Sequence, residues 1–306
     1  MEIEFLSGKS HCRGMHFAPG TETFRTPAGS PAVIIAPGFG GVIEAGLIPF
    51  GERYAAAGFH AVLFDYRHFG RSEAEPRQLL SIRRQLEDWR AAVVFVRGQA
   101  GVDSARIVLL GTSFSGGHVL VTAAREPGIA AVVAQSPFLD GRAGLLQILR
   151  VEGLRFLIRV IVRGLQDQWR AAAGRPPLRV PIFGAPGSLA AMTMPGAEEG
   201  YRSIAPPGFR NEVCARIGLH IAGYRPGRAA DRVGCPLLFQ LFEQDHTAPP
   251  AQVEQTAVRA GGPVTVKRYP GNHFDLYHGA LFEQVVRDQL QFLSEGTTIE
   301  RTKETT

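Results

Sequence analysis

Short apolar runs rich in β-branched residues alternate along the chain with stretches in which apolar residues recur at helical spacing. The runs are Ala32–Pro37, His60–Asp65, Arg106–Leu110, Ala130–Gln135, Pro236–Phe242 and Val264–Tyr269. They are continuous rather than alternating, which is the pattern of strands covered on both faces. Between two of them, Leu86, Trp89, Ala92, Val93 and Val96 of Leu80–Arg97 mark one side of a helix. Buried strands separated by helices predict an α/β fold, a mostly parallel sheet with helices on both sides. Glu2–Phe5 and His11–Phe17 read as an antiparallel pair at the edge of that sheet.

The rhythm stops between about Asp140 and Asp231. Leu145–Trp169 reads as one long apolar helix. Its Arg155, Arg159 and Arg163 form a charged face turned to solvent, and Leu149, Phe156 and Val160 turn toward core or cleft. Pro176–Gly208, rich in Pro, Gly and Ala, predicts mostly loop. Residues 141–230 are therefore expected to form a helical and loop cap (a lid) inserted into a core made of 1–140 and 231–296. The polar residues 297–306 are expected to be a flexible tail.

A chain of 306 residues can bury a full core, as one large domain or as a domain with an insertion. The net charge of +5 comes mainly from arginines scattered along the chain. There is no Lys/Arg block and no aromatic-interleaved basic stripe, so nucleic acid is not expected as a partner. Cys12, Cys214 and Cys235 are odd in number and far apart, which suits free thiols rather than a disulfide framework or a zinc site. No apolar stretch reaches the length of a membrane span, and the N-terminus opens on acidic residues rather than on a leader pattern. A cytoplasmic protein is expected.

The chemistry concentrates where one buried run ends. Residues 107–120 read IVLLGTSFSGGHVL, with small residues packed from Gly111 to Gly117. A strand that turns directly into a helix projects its central residue into the cleft. Positions two before and two after must then be small, because strand and helix nearly touch. Ser113 has Gly111 before it and Ser115 after it; Ser115 has Ser113 and Gly117, a poorer fit. A serine hydroxyl also needs a base, and the base a third group to orient it. LFEQDHTAPP and YPGNHFDLYHG, each after a predicted strand, offer Asp245, Glu243, His246, His273 and His278, and Asp140 follows an earlier strand.

With Phe64-Asp65-Tyr66-Arg67-His68-Phe69-Gly70-Arg71-Ser72 and the Ser113 turn, the chain resembles the serine α/β-hydrolases, in particular their esterase and peptidase-like branch. The resemblance covers roughly 1–140 and 231–295. It implies Ser113 as nucleophile, Asp245 as acid and His273 as base, in the family's order. It also implies the backbone N–H groups of Phe39, in Pro37-Gly38-Phe39-Gly40-Gly41, and of Phe114 as oxyanion donors. Two positions depart from the family pattern: Ser115 stands where glycine is usual, and Pro37 where histidine is. Neither a Gly-x-Gly-x-x-Gly nor a Walker run is present to cradle a phosphate.

The expected function is hydrolysis of a carboxylic ester or thioester through an acyl-enzyme. Its partner would be a small-molecule acyl substrate with an apolar acyl part. No cofactor and no metal are needed, and a homo-oligomer is left open. A peptidase or acyltransferase using the same residues is the alternative, and a non-catalytic binding protein on this fold the second.

Overall fold

The computed structural model describes residues 1–295 and 299, so the expected tail over 297–306 lies, but for Ile299, outside the described residues. In chain order the strands of the first part are β1 (Glu2–Ser7), β2 (Ser10–Phe17), β3 (Ser30–Ala36), β4 (His60–Phe64), β5 (Val102–Thr112) and β6 (Ile129–Gln135). A two-residue antiparallel pair follows, β7 (Arg179–Val180) and β8 (Val213–Cys214), and then β9 (Leu237–Phe242) and β10 (Val264–Tyr269). Eight strands make one sheet in the order β1-β2-β4-β3-β5-β6-β9-β10. All its pairs are parallel except β1 with β2 and β2 with β4, so the N-terminal hairpin is the antiparallel edge.

The helices are α1 (Ile48–Ala57), α2 (Ile82–Arg97), α3 (Phe114–Ala123), α4 (Gly141–Val151), α5 (Gly153–Ala172), α6 (Ala197–Ile204), α7 (Pro250–Ala257) and α8 (Gly279–Glu295). The strands divide their side chains between two apolar layers because successive residues point to opposite faces. Val33 and Ile35 of β3 pack with Phe50 of α1 and Val285 of α8. Ile34, between them in sequence, packs on the other side with Trp89 of α2 and Leu120 of α3. Every side chain of β3, β4 and β6 is buried, hence their unbroken apolar runs.

The strand order reverses at β3. The chain passes from β3 to β4 on one side and later places β5 on the other, so the loops leaving β3 and β5 emerge side by side. Ala36 and Gly111, near the ends of those strands, are register partners. Such a switch point opens a crevice at the carboxyl ends of the strands, where ligands bind in open parallel sheets.

Between β6 and β9, which pair directly, the chain leaves the sheet for α4, α5, β7, α6, β8 and several short 3-10 turns. Two local expectations are corrected here. The single helix over Leu145–Trp169 is two helices, α4 and α5, because Gly153 takes φ 79°, a left-handed conformation that ends α4 and re-aims the chain. Leu149, expected toward core or cleft, stands exposed on α4, whereas Phe156 is buried. The stretch Pro176–Gly208 is mostly loop, as expected, and carries the short β7 and the two turns of α6. No helix of the described residues is long and apolar enough to cross a membrane.

Candidate active site

Ser113 sits between β5 and α3 with φ 55° and ψ −118°, a conformation that costs a non-glycine residue energy and persists only where its surroundings enforce it. Its N–H is held by the Gln135 carbonyl at 2.8 Å, and its own carbonyl accepts from Gly116 and Phe138. Gly111 makes the turn feasible: a Cβ there would lie 2.2 Å from the Ser115 carbonyl oxygen. Ser115 is fully buried, and its hydroxyl shares a 2.8 Å hydrogen bond with Tyr66 OH, which also accepts from Trp89 Nε1 at 2.8 Å. The extra hydroxyl at the usual glycine position is thus absorbed by a network under the sheet, away from the cleft.

Asp245 and His273 arrive from the loops after β9 and β10. Asp245 is buried, and its Oδ1 accepts the N–H groups of Thr247 and Ala248 at 2.8 and 2.7 Å. That leaves Oδ2 to accept from His273 Nδ1 at 2.6 Å, and His273 Nε2 lies 3.0 Å from Ser113 Oγ. A proton on Nδ1 held by the carboxylate leaves the Nε2 lone pair facing the serine hydroxyl, so the arrangement is able to take the proton of Oγ as a carbonyl is attacked. Of the rival groups, two are engaged elsewhere and two face solvent. Asp140 caps α4 through Arg142 and Ala143 N–H and pairs with Arg225. Glu243 and His246 are exposed, and His278 Nε2 meets Ser203 Oγ at 2.8 Å.

The loop after β3 passes directly over the serine. A Cβ on Gly38 would come 3.0 Å from Ser113 Cβ, so glycine allows this approach. Phe39, next in that loop, sets its ring edge-to-face against Phe114 at 5.5 Å, and both residues border the cavity at Ser113. Phe114 opens α3, so its N–H has no carbonyl one turn earlier in the helix to bond to.

Two further residues hold this loop. Buried Asp65, from the Phe64–Ser72 run, accepts from Ile43 N–H at 2.8 Å and Arg71 N–H at 3.1 Å. Burial, opposed by those hydrogen bonds, pushes its carboxyl up to about 6. Tyr201 of α6 donates its hydroxyl to the Phe39 carbonyl at 3.2 Å and packs on Phe183 and on Phe274, the neighbour of His273. Burial drives the Tyr201 pKa far above its ordinary value, so the hydroxyl keeps its proton. Tyr201 lies in the stretch without periodicity, where no sequence signal singles it out.

Two apolar cavities of about 100 Å³ each lie beneath α4 and α5, and one of them is bordered by Ser113. Both are bordered by Phe39, Phe138, Gly144, Ile148, Phe156 and Ile221. A smaller hollow of about 20 Å³ touches Ser113, His273, Tyr201 and Tyr277. That is roughly the room of one water. Among the described residues no group of three or more His, Cys, Asp or Glu is placed to hold a metal ion.

The model of the serine aminopeptidase, S33, family matches residues 29–183. The quorum-quenching protein AidA of Acinetobacter baumannii (strain MDR-ZJ06) is 38% identical over 298 residues, 96% of this chain and 94% of its own. Thiohydrolase apmlB of Arthrinium phaeospermum is 27% identical over 281 residues, covering 87% and 89%. Among solved structures, that of DcsB in complex with its substrate analogue superposes with a TM-score of 0.81 at 24% identity, over 95% of this chain and 98% of that one. With the mostly parallel, helix-covered sheet described above, these likenesses show that the chain is an enzyme and belongs to the serine aminopeptidase, S33, family of the serine α/β-hydrolase superfamily.

Proposed function

We propose that the protein hydrolyses a carboxylic ester or thioester with an apolar acyl group, through an acyl-enzyme on Ser113. The hydrogen-bonded chain Ser113–His273–Asp245, opening on an apolar chamber, carries this reading. Ser113 Oγ attacks the acyl carbonyl carbon while His273 Nε2 takes the hydroxyl proton. The carbonyl oxygen, now negative, is held by the Phe39 and Phe114 N–H groups. His273 then gives the proton to the leaving oxygen or sulfur, and the acyl group stays on Oγ. Water repeats the sequence: His273 takes its proton, the hydroxide oxygen adds to the acyl carbon, and Oγ leaves reprotonated. The one-water hollow bordered by Ser113 and His273 suits this second half. Labelling with a fluorophosphonate, followed by peptide mapping, tests the nucleophile; a label found anywhere but Ser113 overturns the assignment.

In the same reading residues 141–230 are a cap that sets acyl preference, since α4 and α5 border the chamber. Gly144 tests this economically. A Cβ there would meet Phe138 at 3.6 Å, an ordinary contact, so a larger side chain is accommodated until it grows into the chamber. Gly144→Leu is expected to cut kcat/KM for long-chain p-nitrophenyl esters about tenfold or more, with the acetyl ester nearly unchanged. Ile148→Ala is expected to shift the optimum to longer chains. A length profile unmoved by both substitutions removes the cap from substrate selection.

Tyr201 would act through the loop it holds. Tyr201→Phe keeps the ring packing and removes one hydrogen bond to Phe39. It is expected to lower kcat by about 2–10-fold with KM little changed, the size of one such bond felt in the transition state. A rise in KM with unchanged kcat would instead make Tyr201 a substrate contact.

A further inference from the structure

The large apolar side chains exposed among the described residues are concentrated on α4 and α5. Leu154, Ile158, Leu165 and Trp169 of α5 are each at least half exposed, and Ile161 lies among them. Their spacing of three and four residues puts them in one stripe along the helix. Leu146 and Leu149 extend the patch onto α4. The stripe is not a face waiting to roll inward. The opposite side of α5 is buried through Phe156, Gly164 and Asp167. Asp167 accepts from Arg216 Nε at 2.6 Å and from Leu178 N–H at 2.7 Å, which locks the rotation of the helix.

A third side of α5 carries Arg155, Arg159 and Arg163, all exposed. From 141 to 175 the sequence holds seven arginines and two acids, Glu152 and the buried, paired Asp167. Arg175 stacks over the Trp169 ring at 4.9 Å, at the end of the stripe. An apolar stripe closed by a tryptophan and edged by arginines is how an amphipathic helix lies in a bilayer surface, apolar side down and cations among the headgroups. We propose that the outer face of α4 and α5 seats on an anionic lipid surface. A second copy of this chain covers the apolar stripe equally well, but through the same helices it brings a second set of exposed arginines, Arg155, Arg159 and Arg163, against only the half-buried Glu152 and the paired Asp167. Anionic headgroups supply the missing countercharge. The helices that would rest on lipid are those that border the chamber, so a lipid surface would adjoin its roof.

The test is co-sedimentation of the full chain with vesicles of equal phosphatidylglycerol and phosphatidylcholine, against vesicles of phosphatidylcholine alone, at low and high salt. Binding is expected to the anionic vesicles, to weaken with salt, and to be slight on phosphatidylcholine. The double variant Ile158→Glu/Leu165→Glu removes the stripe, and Arg155→Glu/Arg159→Glu removes the countercharge. All four side chains face water, so both variants should keep the thermal melt, and each should lower the partition coefficient at least about tenfold. No binding to anionic vesicles, or binding that neither double variant weakens, overturns the proposal. So does a dimer in light scattering that Ile158→Glu/Leu165→Glu converts to monomer while the wild-type protein ignores vesicles.

Discussion

Ser113→Ala is expected to lower kcat for a p-nitrophenyl ester on the order of 10⁴–10⁶-fold while leaving the thermal melt near that of the wild-type protein. The size follows from the proposed role: without Oγ no acyl-enzyme would form, and only the proposed oxyanion donors and substrate binding would remain to assist water. The fold should survive because the strained backbone at Ser113 is enforced by main-chain bonds, from Gln135 on one side and to Gly116 and Phe138 on the other. Ser115→Ala is the internal control. Its hydroxyl is buried against Tyr66, so its loss should affect stability more than turnover. An active Ser113→Ala with a dead Ser115→Ala would move the nucleophile to Ser115.

Asp245→Asn is expected to cost on the order of 10⁴-fold in kcat. The surroundings of this side chain dictate which way the new amide must point. Thr247 and Ala248 both offer N–H groups to Oδ1, so the amide oxygen stays with them and the amide nitrogen faces His273. An N–H facing Nδ1 makes that ring nitrogen the acceptor and moves the imidazole proton to Nε2. The lone pair that should receive the Ser113 proton is then gone. Glu243→Gln, at an exposed position, should change kcat little. The pair of variants is read by steady-state kinetics on one ester. A mild Asp245→Asn beside a damaging Glu243→Gln would transfer the role to Glu243.

Much of this architecture was legible because it rests on local rules. Buried parallel strands must be apolar on both faces, so β3, β4, β6 and β9 declare themselves as unbroken runs, and their helices as the periodic stretches between. The Ser113 turn is legible for the same reason: only small residues fit where β5 meets α3, and Gly111 with its 2.2 Å clearance is that requirement written in sequence. Asp245 and His273 were named by their place after strands within a family resemblance. Their spacing alone left Glu243, His246, His278 and Asp140 open.

What only the tertiary structure decided depends on groups far apart in the chain. The contacts of 3.0 and 2.6 Å that join Ser113, His273 and Asp245 span loops from β5, β9 and β10, and no local pattern encodes which loop residue turns inward. The hold of Tyr201 on Phe39 crosses 162 residues from a segment without periodicity. The helix pattern over Leu145–Trp169 showed the arginine row, but it hid the break at Gly153 and misdirected Leu149. An amphipathic helix reports by its period that it has an apolar side, and not which side the rest of the chain covers. On α5 the core takes Phe156, Gly164 and Asp167, and the broader apolar stripe is left to face outward. The sequence by itself determined the sheet, its helices and the turn that presents Ser113, because those follow from burial and steric fit between neighbours. Tertiary packing decided the partners of that serine and the exposed face of α4 and α5, because burial there depends on which distant surface arrives to cover it.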